Sequence, residues 1–315
     1  MPQEVIEAVE LEWPKLAPGE VLIELLAAPI NPSDVLTLTG EYGILPPLPA
    51  FAGNEGVGKV VEHGPGVTSP PLGQVVLLPV GIGTWSTHLV APAAGLVALP
   101  AGVDPQQLAM LSINPPTASL MLSEFVELSA GDWVIQNAAN SSVGAYLIQL
   151  ARMRGLRTVN VVRRAALVEP LRAAGADVVL VDGPELPVAV KDATGGAKIR
   201  LGIDAVGGEG TASLGACLAS EATLVNYGAM SGKPCTLSAG LLIFKDLRVR
   251  GFWLAKWFRT ASKEQQGKLY GELTRSIATG ALKAPIHQTY AVKDIKEAVA
   301  AAAAGERDGK ILVVP

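Results

Sequence analysis

The chain has 315 residues, of which 49% are hydrophobic and 17% charged, so it can fill the cores of one large domain or two ordinary ones. Its 34 glycines and 23 prolines exclude a coiled coil or a plain helical bundle, because both residues interrupt helices. The formal net charge is −4 and no basic run is present, so we expect neither nucleic acid nor a membrane as a partner.

Cysteine and histidine are scarce. Cys217 and Cys235 cannot build a disulfide framework, which fits a reducing compartment. The first residues lack the basic start and apolar run of a secretory signal, so we predict a cytoplasmic protein. His63, His88 and His287 lie far apart without the spacing of metal ligands, and we therefore predict that no metal is bound.

The first hundred residues are predicted to form short strands separated by turns. Apolar, β-rich runs cover 21–26, 58–63 and 74–78, with glycine and proline clusters between them. Strands at this density without long helices predict a small all-β barrel or sandwich.

After Pro105, β-rich and helical segments alternate. Asn114, followed by two prolines, has the pattern of a helix start. Strands are predicted at 133–136, 158–162, 178–181, 201–206 and 222–227, and helices at 118–128, 143–153, 167–174 and 211–220. This alternation predicts a doubly wound parallel sheet with helices on both faces, an α/β fold.

The C-terminal region adds two predicted helices, at 263–279 and 294–304, and a last strand at 311–314. We predict that this tail (252–315) and the β-rich start (1–112) form one discontinuous domain around a central α/β domain (113–251).

The segment 137–144 (NAANSSVG) joins the first central strand to its helix. In a doubly wound sheet this turn binds pyrophosphate, because the N–H groups and dipole of a helix N-terminus favour an anion. Alanine and serine stand where a GxGxxG motif has glycine. The turn alone therefore fits a phosphate site and an ordinary tight turn about equally well.

The end of the next predicted strand indicates which dinucleotide would bind. An NAD site has an acidic residue about 20 residues after the phosphate turn, where it binds the ribose hydroxyls. Here the residue at that distance is Arg163, which is followed by Arg164, and no acidic residue stands there. A guanidinium suits the 2′-phosphate of NADP, so we predict NADPH rather than NADH, with a solvated basic pair as the alternative.

Segments along nearly the whole chain resemble the zinc-free branch of the medium-chain dehydrogenase/reductase superfamily. More narrowly, the chain is similar to the mitochondrial-type NADPH-dependent trans-2-enoyl-CoA (2-enoyl thioester) reductases. The matching segments are 28–34 (APINPSD), 40–43 (GEYG), 53–57 (GNEGV), 134–137 (VIQN), 157–163 (RTVNVVR) and 241–253 (LLIFKDLRVRGFW).

The resemblance implies a GroES-like catalytic domain plus a Rossmann domain, and it assigns roles by position. Asn54 stands where the zinc-dependent relatives have a histidine. Tyr42 aligns with the family's proton donor and Trp253 with a tryptophan of its active-site pocket, and we predict both as catalytic residues. The family's NADPH contacts fall on Asn114, Asn140, Ser141, Ser142, Val143, Arg163, Arg164, Tyr227, Gly228, Ala229, Met230, Phe252, Trp253, Leu254, Ala255 and Lys310.

The resemblance also implies an activity: hydride transfer from NADPH to the β carbon of an enoyl thioester, with the proton for the α carbon coming from Tyr42. The substrate would be an acyl thioester of coenzyme A or of acyl carrier protein, used in fatty-acid synthesis. A homodimer paired along strand 247–253 is expected. Tyr42 could instead be a surface tyrosine on a mobile loop, and Lys310 a solvated lysine at a sheet edge.

Two other functions remain open from the residues. One is a zinc-free NADPH-dependent quinone or alkenal reductase on the same fold. The other is a non-catalytic, NADPH-binding regulatory protein, suggested by Ser142 in place of a family glycine and by a start short of a strand that relatives place before residues 5–10.

Overall fold

The computed structural model describes residues 1–305 and 307–315, which divide into two compact units. The β-rich unit comprises Met1–Ile113 and Tyr270–Pro315, and the α/β unit comprises Asn114–Leu269. Chain segments from both ends therefore build the β-rich unit.

The strands of the described chain are β1 (Glu20–Pro29), β2 (Val57–His63), β3 (Val75–Leu77), β4 (His88–Pro92), β5 (Val97–Ala98), β6 (Trp133–Gln136), β7 (Arg157–Val162), β8 (Val178–Val181), β9 (Leu201–Asp204), β10 (Thr223–Asn226), β11 (Arg248–Gly251), β12 (Ile286–Ala291) and β13 (Lys310–Val314).

The α-helices are α1 (Pro32–Leu38), α2 (Pro105–Leu108), α3 (Asn114–Met121), α4 (Ser142–Met153), α5 (Val168–Ala173), α6 (Leu186–Thr194), α7 (Glu209–Cys217), α8 (Ala239–Phe244), α9 (Leu254–Thr260), α10 (Lys263–Ala278) and α11 (Ile295–Ala304). Short 3₁₀ turns cover Pro2–Glu4, Ala165–Leu167 and Val292–Asp294. Within the described chain, no helix combines the length and the apolar character needed to cross a bilayer.

The β-rich unit is built around β1. Its strand order is β12-β13-β1-β2-β3-β5, and β4 pairs with β1 as well. β1 runs antiparallel to β2, β4 and β13. Apolar side chains of β1 and β13, among them Ile23, Leu25 and Val313, are fully buried in one core. Because β13 comes from the C-terminus, this core cannot close until both ends of the chain are in place.

The α/β unit holds a parallel sheet in the order β11-β10-β9-β6-β7-β8. Every residue of β6 and β9 is buried, which explains why these strands are almost continuously apolar. The strand order reverses between β6 and β9. In doubly wound sheets, ligands bind at the carboxyl ends of the strands at such a switch point.

The predicted fold class, a GroES-like β-rich domain plus a Rossmann domain, is confirmed by this architecture. The predicted domain boundaries stay a prediction, and the compact units differ from them at one end: residues 252–269 lie in the α/β unit. Phe252 continues from β11 with its N–H donating to Asn226 O at 2.9 Å, so the chain stays with the sheet beyond Gly251.

Some helices differ from their predictions. The helix predicted at 118–128 is α3, which begins at Asn114 and ends at Met121, so Asn114 is a helical residue rather than a cap. Five short helices, α1, α2, α6, α8 and α9, were not predicted. The valines of α6 favour strands, and its end is fixed by Gly195 in the left-handed conformation, a signal that the apolar pattern does not carry.

Candidate active site

The turn between β6 and α4 has the local structure of a phosphate-binding turn. Ser141 caps α4 by accepting the Gly144 N–H at 3.1 Å. A Cβ on Gly144 would lie 2.5 Å from Ala139 O, so only glycine lets the helix pack this closely on the turn. Ala145 N–H donates to Ser141 O at 2.8 Å, whereas the N–H groups of Ser142 and Val143 precede the first hydrogen bond of the helix and can face an anion.

Arg163 and Arg164 follow the carboxyl end of β7. Arg163 is exposed and forms no ion pair or hydrogen bond with the described residues, while Arg164 is half-buried. The next acidic residue is Glu169, inside α5. The position that would bind ribose hydroxyls in an NAD site therefore presents guanidinium groups, which suit a 2′-phosphate.

The segment after β10, Tyr227–Met230, lies beside the phosphate turn. Burial raises the pKa of the Tyr227 phenol above its ordinary value, although Ser141 acts in the opposite direction. A Cβ on Gly228 would lie 2.7 Å from Ala205 O, so this segment also packs closely on the chain leaving β9.

The segment 252–255 follows β11 in the same unit. The ring of Phe252 stacks edge-on against Phe125, with centroids 6.0 Å apart. The Arg259 guanidinium lies 5.0 Å from the centroid of the Trp253 ring. Trp253 is half-buried at the start of α9, and Asn114 is buried at the start of α3, which packs on α4.

The predicted NADPH contacts of the α/β unit thus follow β6, β7, β10 and β11, or begin α3. The tight glycine at the α4 terminus, the paired guanidinium groups and the packed segment after β10 fit a phosphorylated dinucleotide. Their roles as contacts stay a proposal.

Lys310, the remaining predicted contact, lies in the β-rich unit and is only 4% exposed, so it is not a solvated edge lysine. Its Nζ donates to Asn31 Oδ1 at 2.7 Å. The Asn31 amide donates in turn to Glu55 Oε1 at 2.7 Å, and Glu55 Oε2 accepts the Ile113 N–H at 2.9 Å.

Asp34 completes this buried cluster. It accepts the Asn31 N–H at 2.7 Å and the Asn54 amide at 2.6 Å, and so fixes the start of α1. Burial raises the pKa of Asp34 to about 6 and that of Glu55 to about 7, although their hydrogen bonds and Lys310 act in the opposite direction. Burial also lowers the pKa of Lys310 to about 8.

The same cluster does not fit the zinc ion of the zinc-dependent relatives. Zinc sites use thiolate, imidazole and carboxylate ligands, whereas Asn54 and Asn31 are amides already engaged with Asp34, Glu55 and Lys310. The described residues contain no group of three or more His, Cys, Asp or Glu side chains placed to hold a metal. We therefore derive no step through a metal ion.

Tyr42 follows α1 in the β-rich unit. Its N–H and that of Glu41 donate to Leu36 O at 3.1 and 2.8 Å, which ties this segment to the last turn of α1. Tyr42 is half-buried, whereas the apolar loop after it is exposed, with Leu48 at 86% and Phe51 at 65%. The backbone of the predicted proton donor is thus anchored, through α1, to the buried cluster.

Sequence reasoning missed the polar residues that hold these segments. The sequence assigned no individual role to Asn31, Asp34 or Glu55, although the Asn-Pro-x-Asp pattern at 31–34 is a recognisable helix start. Asp204, which ends an apolar strand, was also missed. Burial raises the pKa of the Cys217 thiol to about 12.

The raised pKa of Glu55 predicts a pH-dependent stability. Folding favours its protonated form, so this contribution is fully present below pH 4.5 and is lost as the pH rises through about 7. For one group the slope reaches about 1.4 kcal/mol per pH unit. We expect Glu55→Gln to flatten the decline in the free energy of unfolding, measured with urea between about pH 5 and 8.

Glu62→Gln, at an exposed position of β2, is the matched control and should leave the wild-type slope unchanged. Parallel profiles for wild type and Glu55→Gln would contradict the prediction, whatever the absolute stabilities.

Comparison with known proteins agrees with this architecture. Residues 17–101 match the alcohol dehydrogenase GroES-like domain, and residues 142–266 match the zinc-binding dehydrogenase domain. Human mitochondrial enoyl-[acyl-carrier-protein] reductase is 40% identical over 309 residues, which is 95% of this chain and 82% of the human protein.

Solved structures of the same fold include Etr1p in complex with NADP and crotonyl-CoA. It is 27% identical, with a TM-score of 0.88 over 97% of this chain and 93% of Etr1p. A Bacillus thuringiensis structure provisionally assigned as an NADPH:quinone reductase is 29% identical, with a TM-score of 0.89 over 100% of this chain and 96% of the other.

The two matched domains and the site define a medium-chain dehydrogenase/reductase. Within that superfamily the chain belongs to the family of mitochondrial enoyl-[acyl-carrier-protein] reductases. The predicted resemblance is therefore confirmed.

The predicted cytoplasmic location is wrong. The human relative is mitochondrial, as are the matched proteins of rat and mouse, and they point to mitochondria instead. Scarce cysteines indicate only a compartment that keeps thiols reduced, and this criterion does not separate the cytoplasm from other reducing compartments.

Proposed function

We propose that this protein is an NADPH-dependent reductase of trans-2-enoyl thioesters. The observation that carries the proposal is the 40% identity to an enoyl-[acyl-carrier-protein] reductase over 95% of the chain. The fold neighbour that binds NADP and crotonyl-CoA supports the same cofactor and substrate class. Arg163 and Arg164, in place of an acid, support NADPH over NADH.

Reduction of the C=C bond adds a hydride at the β carbon and a proton at the α carbon. NADPH, when bound, supplies the hydride. The chain must bind the dinucleotide at the α4 N-terminus, orient the thioester and deliver the proton. We assign the proton to the Tyr42 phenol, because the O–H group of a positioned phenol can act as a general acid.

Trp253 and the segment 252–255 are proposed to line the site, as the family resemblance implies. The indole of Trp253 is half-buried, and the Arg259 guanidinium lies over its ring. We propose acyl carrier protein as well as coenzyme A as the carrier of the substrate, on the basis of the human relative's name and of the crotonyl-CoA complex of Etr1p.

A homodimer paired along β11 is also part of the proposal. β11 is the edge of the parallel sheet and all of its residues are exposed, and α8 before it exposes Ile243 (69%) and Phe244 (85%). An open edge next to apolar side chains favours pairing with a second copy. Sedimentation at micromolar concentration should give a dimer, and Phe244→Glu should shift it toward monomer.

The proposed activity is tested by a substrate panel. NADPH consumption should be fastest with crotonyl-CoA and longer trans-2-enoyl thioesters, and slower with quinones and alkenals. Turnover of quinones or alkenals alone would support the other reductase class, for which the Bacillus thuringiensis neighbour is the specific observation. Binding of NADPH without turnover of any acceptor would support the regulatory alternative.

Arg163→Ala is expected to raise the KM for NADPH about 10- to 100-fold and to leave that for NADH nearly unchanged. The reason is that a hydrogen bond to a charged group contributes about 1.5–3 kcal/mol. Steady-state kinetics with each coenzyme measures this. Arg172→Ala, an exposed arginine on α5 paired with Glu169, is the control. Equal loss with both coenzymes would contradict a 2′-phosphate contact.

A further inference from the structure

Asp204 lies at the topological switch point of the α/β unit. It is the last residue of β9, next to β6 on one side and β10 on the other, and its side chain is fully buried. Polar groups at this place matter because the dinucleotide of a doubly wound sheet binds across the crevice where the strand order reverses.

Its carboxylate accepts hydrogen bonds from several segments. Oδ1 accepts the Asn137 amide at 2.7 Å and the N–H groups of Val206 and Gly207 at 2.8 and 3.1 Å. Oδ2 accepts the Thr211 hydroxyl at 2.7 Å and the Asn226 amide at 3.1 Å. One side chain thus connects the ends of β6 and β10, the loop after β9, and α7.

The partners extend these connections into the proposed cofactor segments. Asn137 begins the phosphate turn, and its Oδ1 accepts the Ala205 N–H at 2.8 Å. The Asn226 amide also donates to Gly228 O at 2.9 Å, which holds the segment after β10. Met230 N–H donates to Ala205 O at 3.1 Å.

The carboxylate is stabilised without a cation. No lysine or arginine of the described chain forms an ion pair with it, and burial alone would raise its pKa. The hydrogen bonds from Thr211, Asn137 and the two N–H groups outweigh burial and hold the pKa of Asp204 below its ordinary value. An ionised carboxylate can accept from all five donors at once, which a neutral amide cannot.

We propose that Asp204 is a positioning residue for NADPH binding: it fixes the phosphate turn and the segment 227–230 to each other across the switch point. The proposal rests on the proposed function, since it requires NADPH as the cofactor. Asp204 acts through Asn137 and Asn226 and needs no contact with the nucleotide.

The substitution Asp204→Asn separates this role from general stability. An asparagine at this position can place its NH₂ group in two orientations. In one, the NH₂ group faces the donors that now bond to Oδ1, and in the other it faces those that now bond to Oδ2. Thr211 can adapt by rotating its hydroxyl. The amides of Asn137 and Asn226 cannot adapt in this way, because both already bond to other groups. The segments that they hold should therefore shift.

The experiment measures the Kd of NADPH by fluorescence titration, together with Tm, for wild type and three variants. Asp204→Asn and Asn137→Ala should each raise the Kd about tenfold or more, with kcat at saturating NADPH changed less than about threefold. Asn137→Ala decides the question if Asp204→Asn does not fold. Thr211→Val is the matched control, because it removes one buried hydrogen bond from Asp204 without touching a cofactor segment.

For the control we expect a lowered Tm and a Kd within about threefold of wild type. Two results would overturn the positioning role and leave the proposed function standing. In the first, Thr211→Val weakens NADPH binding as much as the other folded variants at the same loss of Tm. In the second, Asp204→Asn and Asn137→Ala keep the wild-type Kd. A wild-type chain that binds no NADPH would overturn both.

Discussion

Replacing Tyr42 by phenylalanine is expected to lower kcat for crotonyl-CoA reduction about 10²- to 10⁴-fold, the usual contribution of a positioned general acid. The substitution removes only the hydroxyl, so the Tyr42 N–H can still bond to Leu36 O and hold the segment on α1. The Kd of NADPH should not change, because the predicted dinucleotide contacts other than Lys310 lie in the α/β unit.

Tyr290→Phe is the matched control, since Tyr290 lies on β12 in the same unit and has no proposed role in the site. Stopped-flow reduction and NADPH titration separate the two quantities. A fall in kcat of less than about tenfold, or an equal loss of NADPH affinity, would show that Tyr42 is not the proton donor. Any quinone turnover should be retained in Tyr42→Phe.

Replacing Lys310 by methionine is expected to lower the free energy of unfolding by about 3–5 kcal/mol, because removing one partner of a buried charged group leaves the others uncompensated. Glu55 and Asp34 are 0% and 2% exposed and share this one ammonium. The loss should grow as the pH rises from about 5 to 8, since the two carboxyl groups ionise over that range. Urea unfolding at several pH values measures it.

The double variant Lys310→Met/Glu55→Gln should recover part of the loss, because one of the two uncompensated carboxylates is then gone. Lys59→Met is the control: Lys59 pairs with Glu24 at 2.7 Å, but both side chains are more than a third exposed, and we expect a loss below about 1 kcal/mol. If the changes in the free energy of unfolding caused by the Lys310 and Glu55 substitutions were strictly additive, the two residues would not share a charge cluster.

Much of the fold could be predicted from local patterns. The buried strands β6 and β9 are apolar except for their last residues, and α4 has a clear amphipathic pattern, so their alternation indicated the parallel sheet. Helix ends and short helices were harder to predict, because they depend on single residues. Gly195 ends α6 through a left-handed backbone that no apolar period reveals.

The candidate site was predictable only where a residue type is unusual for its position. The two arginines after β7, in place of an acidic residue, are unusual in this way and indicated NADPH. Asp204 did not, because its importance depends on Asn137, 67 residues earlier, and on Asn226, 22 residues later. Lys310 was assigned a role by resemblance, yet its bond to Asn31 spans 279 residues and could not be inferred from spacing.

In the proposed reaction, hydride passes from NADPH to the β carbon and the chain protonates the α carbon. Mass spectrometry and NMR of the butyryl-CoA formed from crotonyl-CoA test it directly. With C4-deuterated NADPH in ordinary water, we predict one deuterium at the β carbon and none at the α carbon. Unlabelled NADPH in deuterium oxide should give the reverse. An unreduced substrate, or deuterium from NADPH at the α carbon, would contradict this reaction.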